Sequence, residues 1–157
     1  MWQRKLEERM KRNGATIVTL LALMFTACGG SSRPAPIGIN GSWLADLQDQ
    51  DGNHVLVFNA DLAQGSGSSL TISNFSFSNP SPCFVSTTTQ SATFAASGSS
   101  GPYQTGLFNM TVSSTSGENV AMLTGTRLGN GQISGNWTLS GSAGCNSNGS
   151  VLMSLPQ

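Results

Sequence analysis

HVLVFNADLA, residues 54–63, places Leu56, Phe58, Ala60 and Leu62 at every second position, with Val57, Asn59 and Asp61 between them. Side chains on an extended chain point alternately to opposite faces, whereas on a helix these four would scatter around the axis. The stretch therefore predicts a β-strand with one buried face. The same rhythm continues on both sides. SWLADLQ (42–48) aligns Trp43, Ala45 and Leu47, and DQDGN (49–53) supplies a turn before residue 54.

Beyond the GSGSS loop, SLTISNFSFS (69–78) places Leu70 and Ile72 on one parity and Phe75 and Phe77 on the other. One extra residue in a strand causes such a switch, so a β-bulge is expected near Ser73–Asn74. NPSP breaks the chain before CFVSTTTQSATFAAS (83–97), which reads as one long bent strand or two short ones. After the turn GSSGP, residues 105–114 align Phe108, Met110 and Val112. Residues 119–128 offer Val120, Met122 and Leu128, and 132–140 offer Ile133, Trp137 and Leu139. GNG (129–131) marks a tight hairpin between the last two, because Asn-Gly tolerates positive φ. SVLMSLP (150–156) brings Val151, Met153 and Leu155.

The expected fold is all-β, with about eight antiparallel strands joined mostly by short loops. An up-and-down β-barrel is the leading architecture and a β-sandwich the alternative. Eight strands close around an interior that side chains just fill or that holds one small ligand, and closure removes unpaired edges. INGSW (39–43) and ISGNW (133–137) share the pattern I-x-G-x-W. We read them as equivalent positions where Gly admits a neighbouring chain and Trp covers it. Coincidence in a chain this rich in Gly and Ser is the competing explanation.

The first residues differ in character. WQRKLEERMKRN (2–13) carries Arg4, Lys5, Arg9, Lys11 and Arg12, and ATIVTLLALMFTA (15–27) is uncharged. A bilayer-spanning helix needs about 20 apolar residues. A basic flank followed by a shorter apolar core is instead a secretory signal. Its end, Phe25-Thr26-Ala27-Cys28-Gly29, resembles the lipobox of bacterial lipoproteins, with Phe25 where that family usually has Leu. The resemblance implies cleavage before Cys28, diacylglycerol on its sulfur and acylation of its new amine. Gly29 and Gly30 replace the Asp that retains such proteins at the inner membrane, which implies an outer-membrane destination. GGSSRPAPIGIN supplies a flexible tether. The expected organisation is a lipoprotein signal peptide at 1–27, a lipidated Cys and tether at 28–40, and a β-barrel domain at 41–157. The n-region is long for this class, so Met10 is an alternative start.

After cleavage the basic residues are Arg33 and Arg127, against Asp46, Asp49, Asp51, Asp61 and Glu118. The formal neutrality of the whole chain thus hides an acidic mature portion. With no basic surface to neutralise phosphates, nucleic-acid binding is excluded. If Cys28 carries lipid, Cys83 and Cys145 remain, and an exported protein persists where disulfides do. The pair predicts one bridge; two free thiols are the alternative. Neither Cys has a second ligand at zinc spacing, so no metal site is expected.

Catalysis requires polar groups that converge. His54 with Asp61 and a serine makes a triad only on paper, since no nucleophile motif supports it, and an exposed His at a strand end is the simpler reading. DQDGN lacks the calcium-loop spacing, with His54 where a Gly is required, and reads as a hairpin turn. Five acids clustered mainly at 46–51 give no basis for a glycosidase pair. The Asn-x-Ser/Thr sequons at Asn40, Asn74, Asn109, Asn136 and Asn148 reflect abundant Asn and Ser.

The remainder of the chain resembles uncharacterised Ser/Thr/Gly-rich β lipoproteins of bacteria, a likeness that implies no activity. Gly41-Ser42-Trp43 is also similar to the G-x-W of avidin-like and lipocalin-like barrels, which implies a small ligand inside the barrel. Three functions follow: a structural or interaction lipoprotein of the cell envelope, a small-ligand binder, and an enzyme. The first is the leading expectation and predicts a filled interior. The second predicts a cavity lined by Trp43, Phe58, Phe108 and Trp137. The third predicts His54 in a pocket with an acid and is disfavoured. No cofactor is expected. The membrane, through the lipid, is the one partner expected, and protein partner or ligand is left unspecified.

Overall fold

A computed structural model describes residues 37–155. The expected signal peptide, Cys28 and the tether up to residue 36 lie outside the described residues. The rest is all-β. Strands β1 (Gly41–Asp49), β2 (His54–Gln64), β3 (Ser69–Phe77), β4 (Thr88–Ser100), β5 (Tyr103–Ser114), β6 (Val120–Arg127), β7 (Ile133–Ser140) and β8 (Ser147–Ser154) follow one another around a closed barrel. Every neighbouring pair is antiparallel, and β1 meets β8 from Leu44↔Ser154 to Asp49↔Gly149 to close it. The sandwich alternative is set aside by this closure.

Alternation turns the apolar residues inward as the period-two pattern requires. Trp43, Ala45 and Leu47 of β1, Leu56, Phe58, Ala60 and Leu62 of β2, and Phe108, Met110 and Val112 of β5 are all buried. Ile133, Trp137 and Leu139 of β7 join Val151 and Met153 of β8 in the same core. On the outer side of β7, Ser134, Asn136, Thr138 and Ser140 are exposed. The bulge in β3 is present: the β2–β3 register shifts between Asn59 and Asp61, and Asn74 has φ 50°. Asn adopts this left-handed conformation more readily than other side chains that carry a Cβ.

β6 corrects the sequence-based reading. Ala121, Leu123 and Arg127 face inward, whereas Met122 and Leu128 are exposed and Val120 is half-buried. The ladder Met110↔Leu123 and Val112↔Ala121 fixes this parity from β5. β4 begins at Thr88, not at Cys83; Ser81–Phe84 forms a turn, with the Phe84 N–H donating to the Ser81 carbonyl.

The two I-x-G-x-W tryptophans both point inward, and each indole N–H donates to a main-chain carbonyl, Trp43 to Ile39 and Trp137 to Gln48, both at 2.9 Å. They bond at opposite ends of β1, so the motif marks a shared role and not equivalent positions. Gly135 meets the expected close approach: a Cβ there would overlap the Thr124 carbonyl oxygen and the Gly125 Cα.

Candidate functional site

Up-and-down connectivity gives the barrel two ends. At the first, the β2–β3, β4–β5 and β6–β7 turns surround a strap, residues 37–40, which the sequence assigns to the tether. Ile37 forms a parallel bridge with Tyr103, its N–H donating to the Pro102 carbonyl at 2.7 Å and its carbonyl accepting from the Gln104 N–H at 3.1 Å. Asn40 Oδ1 accepts from the Gln64 N–H at 2.7 Å, and Ile39 plugs the barrel mouth, fully buried.

Beneath the strap lies Arg127, with 0% of its surface exposed. Its guanidinium carbon sits 5.4 Å from the ring centroids of both Trp43 and Tyr103. Cation–π attraction offsets part of the cost of removing the charge from water. Nη1 donates to the Ile37 carbonyl at 3.1 Å, while Nε and Nη2 have no hydrogen-bond partner among the described residues. Burial lowers the Arg127 pKa, and Tyr103 acts in the opposite direction. Beside the strap is a recess of about 420 Å³, whose lining includes Ile39, Gln64, Phe94 and Gln104.

At the second end, Cys83 and Cys145 form the expected disulfide, with a Cα–Cα distance of 5.6 Å. It ties the β3–β4 connection to the β7–β8 loop. Asn119 reinforces the tie: its Nδ2 donates to the Cys83 carbonyl at 2.8 Å, and its Oδ1 accepts from the Ser142 N–H at 2.9 Å. The connection therefore lies across this end of the barrel, with Phe84 stacked on Phe77 at 5.3 Å between centroids.

The wall between the ends is uneven. β3 and β4 are paired only at Ser69↔Thr93 and Leu70↔Ala92, and beyond these positions they diverge. The resulting slot is an open groove of about 460 Å³, walled by residues 72–77 on one side and by Ser86, Thr87, Thr88 and Gln90 on the other. Phe75 and Phe77 are half-buried there. They connect the slot to the core through Phe58, which lies 5.0 Å from Phe75. Side-chain hydrogen bonds near the slot stay on one wall, as in Gln90 Nε2 to Thr88 Oγ1, or turn away from it, as in Asn74 Nδ2 to Asp61 Oδ2.

Of the residues expected to line a ligand cavity, Trp43, Phe58, Phe108 and Trp137 are all interior, at 0–1% exposure. None of them lines the recess or the slot. His54 starts β2, exposed, with Nδ1 2.7 Å from Asp46 Oδ1. Asp61 is bonded instead to Ser42 and Asn74 on the outer face, so the paper triad of His54 and Asp61 is not assembled. DQDGN is a turn: Asp49 accepts from the N–H groups of Asp51 and Asn53, each at 2.9 Å. Among the described residues, His, Cys, Asp and Glu form no cluster able to hold a metal ion.

Sequence reasoning did not identify Arg127, Tyr103, Asn119 or the slot. Arg127 had one available signal: it shares the parity of Ala121 and Leu123 on its own strand. No known family model, curated protein or solved structure matches the chain.

Proposed function

We propose that this is a lipid-anchored protein of the cell envelope whose barrel has a structural or interaction role and no catalytic activity of its own. The observation that carries this reading is the interior. Trp43, Phe58, Phe94, Phe108, Met110, Leu123 and Trp137 pack into one apolar cluster, as expected of an eight-stranded barrel filled by its own side chains. Polar outward residues, such as those of β7, are the inverse of a channel barrel, which is apolar outside and polar within. Attachment to a membrane then falls to Cys28, whose FTACGG setting resembles a lipobox. Two or more acyl chains hold a protein stably where one does not.

Fractionation of cells carrying Cys28→Ser tests the reading. The unaltered chain sediments with membranes and partitions into detergent, and the variant is lost from that fraction or accumulates as precursor. Equal partitioning of the two proteins would refute the anchor.

Small-ligand binding, in the manner of lipocalin-like and avidin-like barrels, is the second reading. It is favoured by Arg127, whose Nε and Nη2, unpartnered among the described residues, would suit a small carboxylate beside Trp43. Thermal shifts with acetate and longer carboxylates test it. A saturable rise in Tm supports this reading, and a flat response removes it.

A further inference from the structure

We propose that the slot between β3 and β4 binds an extended, uncharged polypeptide segment by adding it as a strand to the free edge of β3. The inference rests on the interaction role proposed above and names the partner's chemistry. Three observations carry it.

The first is the pairing. β3 is bonded to β2 along its length, from Gln64↔Leu70 to Phe58↔Phe77, and β4 to β5 from Thr88↔Ser114 onward. Each has one satisfied side. On the slot side the ladder stops after Leu70↔Ala92, which leaves Thr71–Phe77 of β3 and Thr88–Ser91 of β4 facing each other, unpaired there among the described residues. Alternate residues of an unpaired edge present N–H and C=O groups outward, a template that another chain completes. Main-chain bonding of this kind supplies affinity in β-strand addition, while pockets for alternate side chains supply selectivity.

The second is the length and chemistry of the walls. The free edge of β3 is roughly 20 Å long at the rise of a strand. Its lining residues are Ile, Phe, Ser, Thr, Asn and Gln, with no ionisable side chain among them. A charged segment would lose hydration there without gaining a counter-charge. Half-buried Phe75 and Phe77 give the segment's alternate apolar side chains an aromatic surface continuous with the core.

The third is the held connection. Residues 78–87 join the two walls at the mouth of the slot, and the Cys83–Cys145 bridge with the Asn119 bonds fixes them to the β7–β8 loop. Such a tie keeps β4 from closing freely onto β3. Of the two edges β3 is longer, so the segment runs antiparallel to β3 and parallel to β4, the orientation that gives the stronger ladder along the longer edge.

The probe is a fluorescein-labelled peptide of alternating valine and threonine, about eight residues long to suit an ordinary strand. It is offered to the full chain in detergent, beside the same peptide N-methylated at alternate amides. Saturable binding is expected, weakened about tenfold or more by N-methylation. Hydrogen exchange at the slot-facing amides of Thr71–Phe77 should slow about tenfold on binding, with a smaller slowing at Thr88–Ser91 and no change on strands away from the slot. Ser76→Lys and Ser86→Lys, both at exposed positions lining the slot, should each abolish binding, whereas Ser134→Lys on the outer face of β7 should not. Absence of saturable binding, equal binding of the N-methylated peptide, or full binding by both slot lysine variants would overturn the proposal. The assay does not depend on the anchor, so failure here and failure of the Cys28→Ser fractionation are separate results.

Discussion

Arg127 is the charged residue buried beneath the strap at the first barrel end. It is a buried cation with two aromatic faces and one carbonyl as partners. Replacing a poorly paired buried charge by an apolar side chain of similar length is often neutral or stabilising. Arg127→Met is therefore expected to unfold at a denaturant concentration near that of the unaltered chain, while amides of residues 37–40 exchange faster because the strap loses one clasp. Arg127→Lys should be the worse substitution, by about 2 kcal/mol or more, because a compact, strongly hydrated ammonium cannot stack in the same place. Urea unfolding of the two variants checks the order. Asp49 and Asp61 act in the opposite electrostatic sense. Hydrogen bonds, first from Asn53 to Asp49 and from Ser42 to Asp61, hold both pKa values below the ordinary aspartate value. Their contribution to stability is complete above the ordinary aspartate range and is lost as the pH falls through the lowered values. Asp49→Asn and Asp61→Asn should each flatten the acid limb of a stability–pH profile, and a limb unchanged by both substitutions would argue against these bonds.

At the scale of the strands, what was legible depended on how each one alternates. β1, β2, β5, β7 and β8 carry most of their large apolar residues on one parity, and their inward faces follow from the sequence. β3 was legible in its irregularity, because Leu70, Ile72, Phe75 and Phe77 cannot share a face without a bulge. β6 was not. In VAMLTGTR the apolar residues are contiguous, so parity is undecided locally, and the residue that completes the inward face is an arginine. Its orientation is set by the neighbouring ladder and by two rings, Trp43 from β1 and Tyr103 from the adjacent β5. The slot was illegible for a related reason, since the sequence of β3 and β4 does not say where a ladder between them stops. Glycine positions separate the two kinds of information. Gly135→Ala forces a Cβ into the paired backbone of β6 and should cost about 2–3 kcal/mol or more. Gly98→Ala meets only the Thr105 hydroxyl at 3.6 Å and should be close to neutral. Comparable losses in the two variants would show that β6 and β7 are not packed as described.

Residues 37–155 form a filled barrel fastened at both ends, by the strap over Arg127 at one and by the disulfide at the other. The bridge spans 62 positions of sequence, and closing a loop of that size in the unfolded chain contributes about 4 kcal/mol on the entropic account. Cys83→Ala/Cys145→Ala should lower the free energy of unfolding by about that amount, measured by denaturant titration. It should also speed exchange at the amides bordering the slot. The arrangement assigns separate tasks to separate parts. On the functions proposed above, packing of the interior gives stability, the uneven β3–β4 wall would offer a surface for contact, and Cys28 would supply location. Intact mass of the membrane-purified protein, with and without reductant and alkylation, tests that division most directly. The mass expected is that of residues 28–157 plus two or three acyl chains, less two hydrogens for the bridge. An unacylated chain whose Cys28 is alkylated without reduction would contradict it.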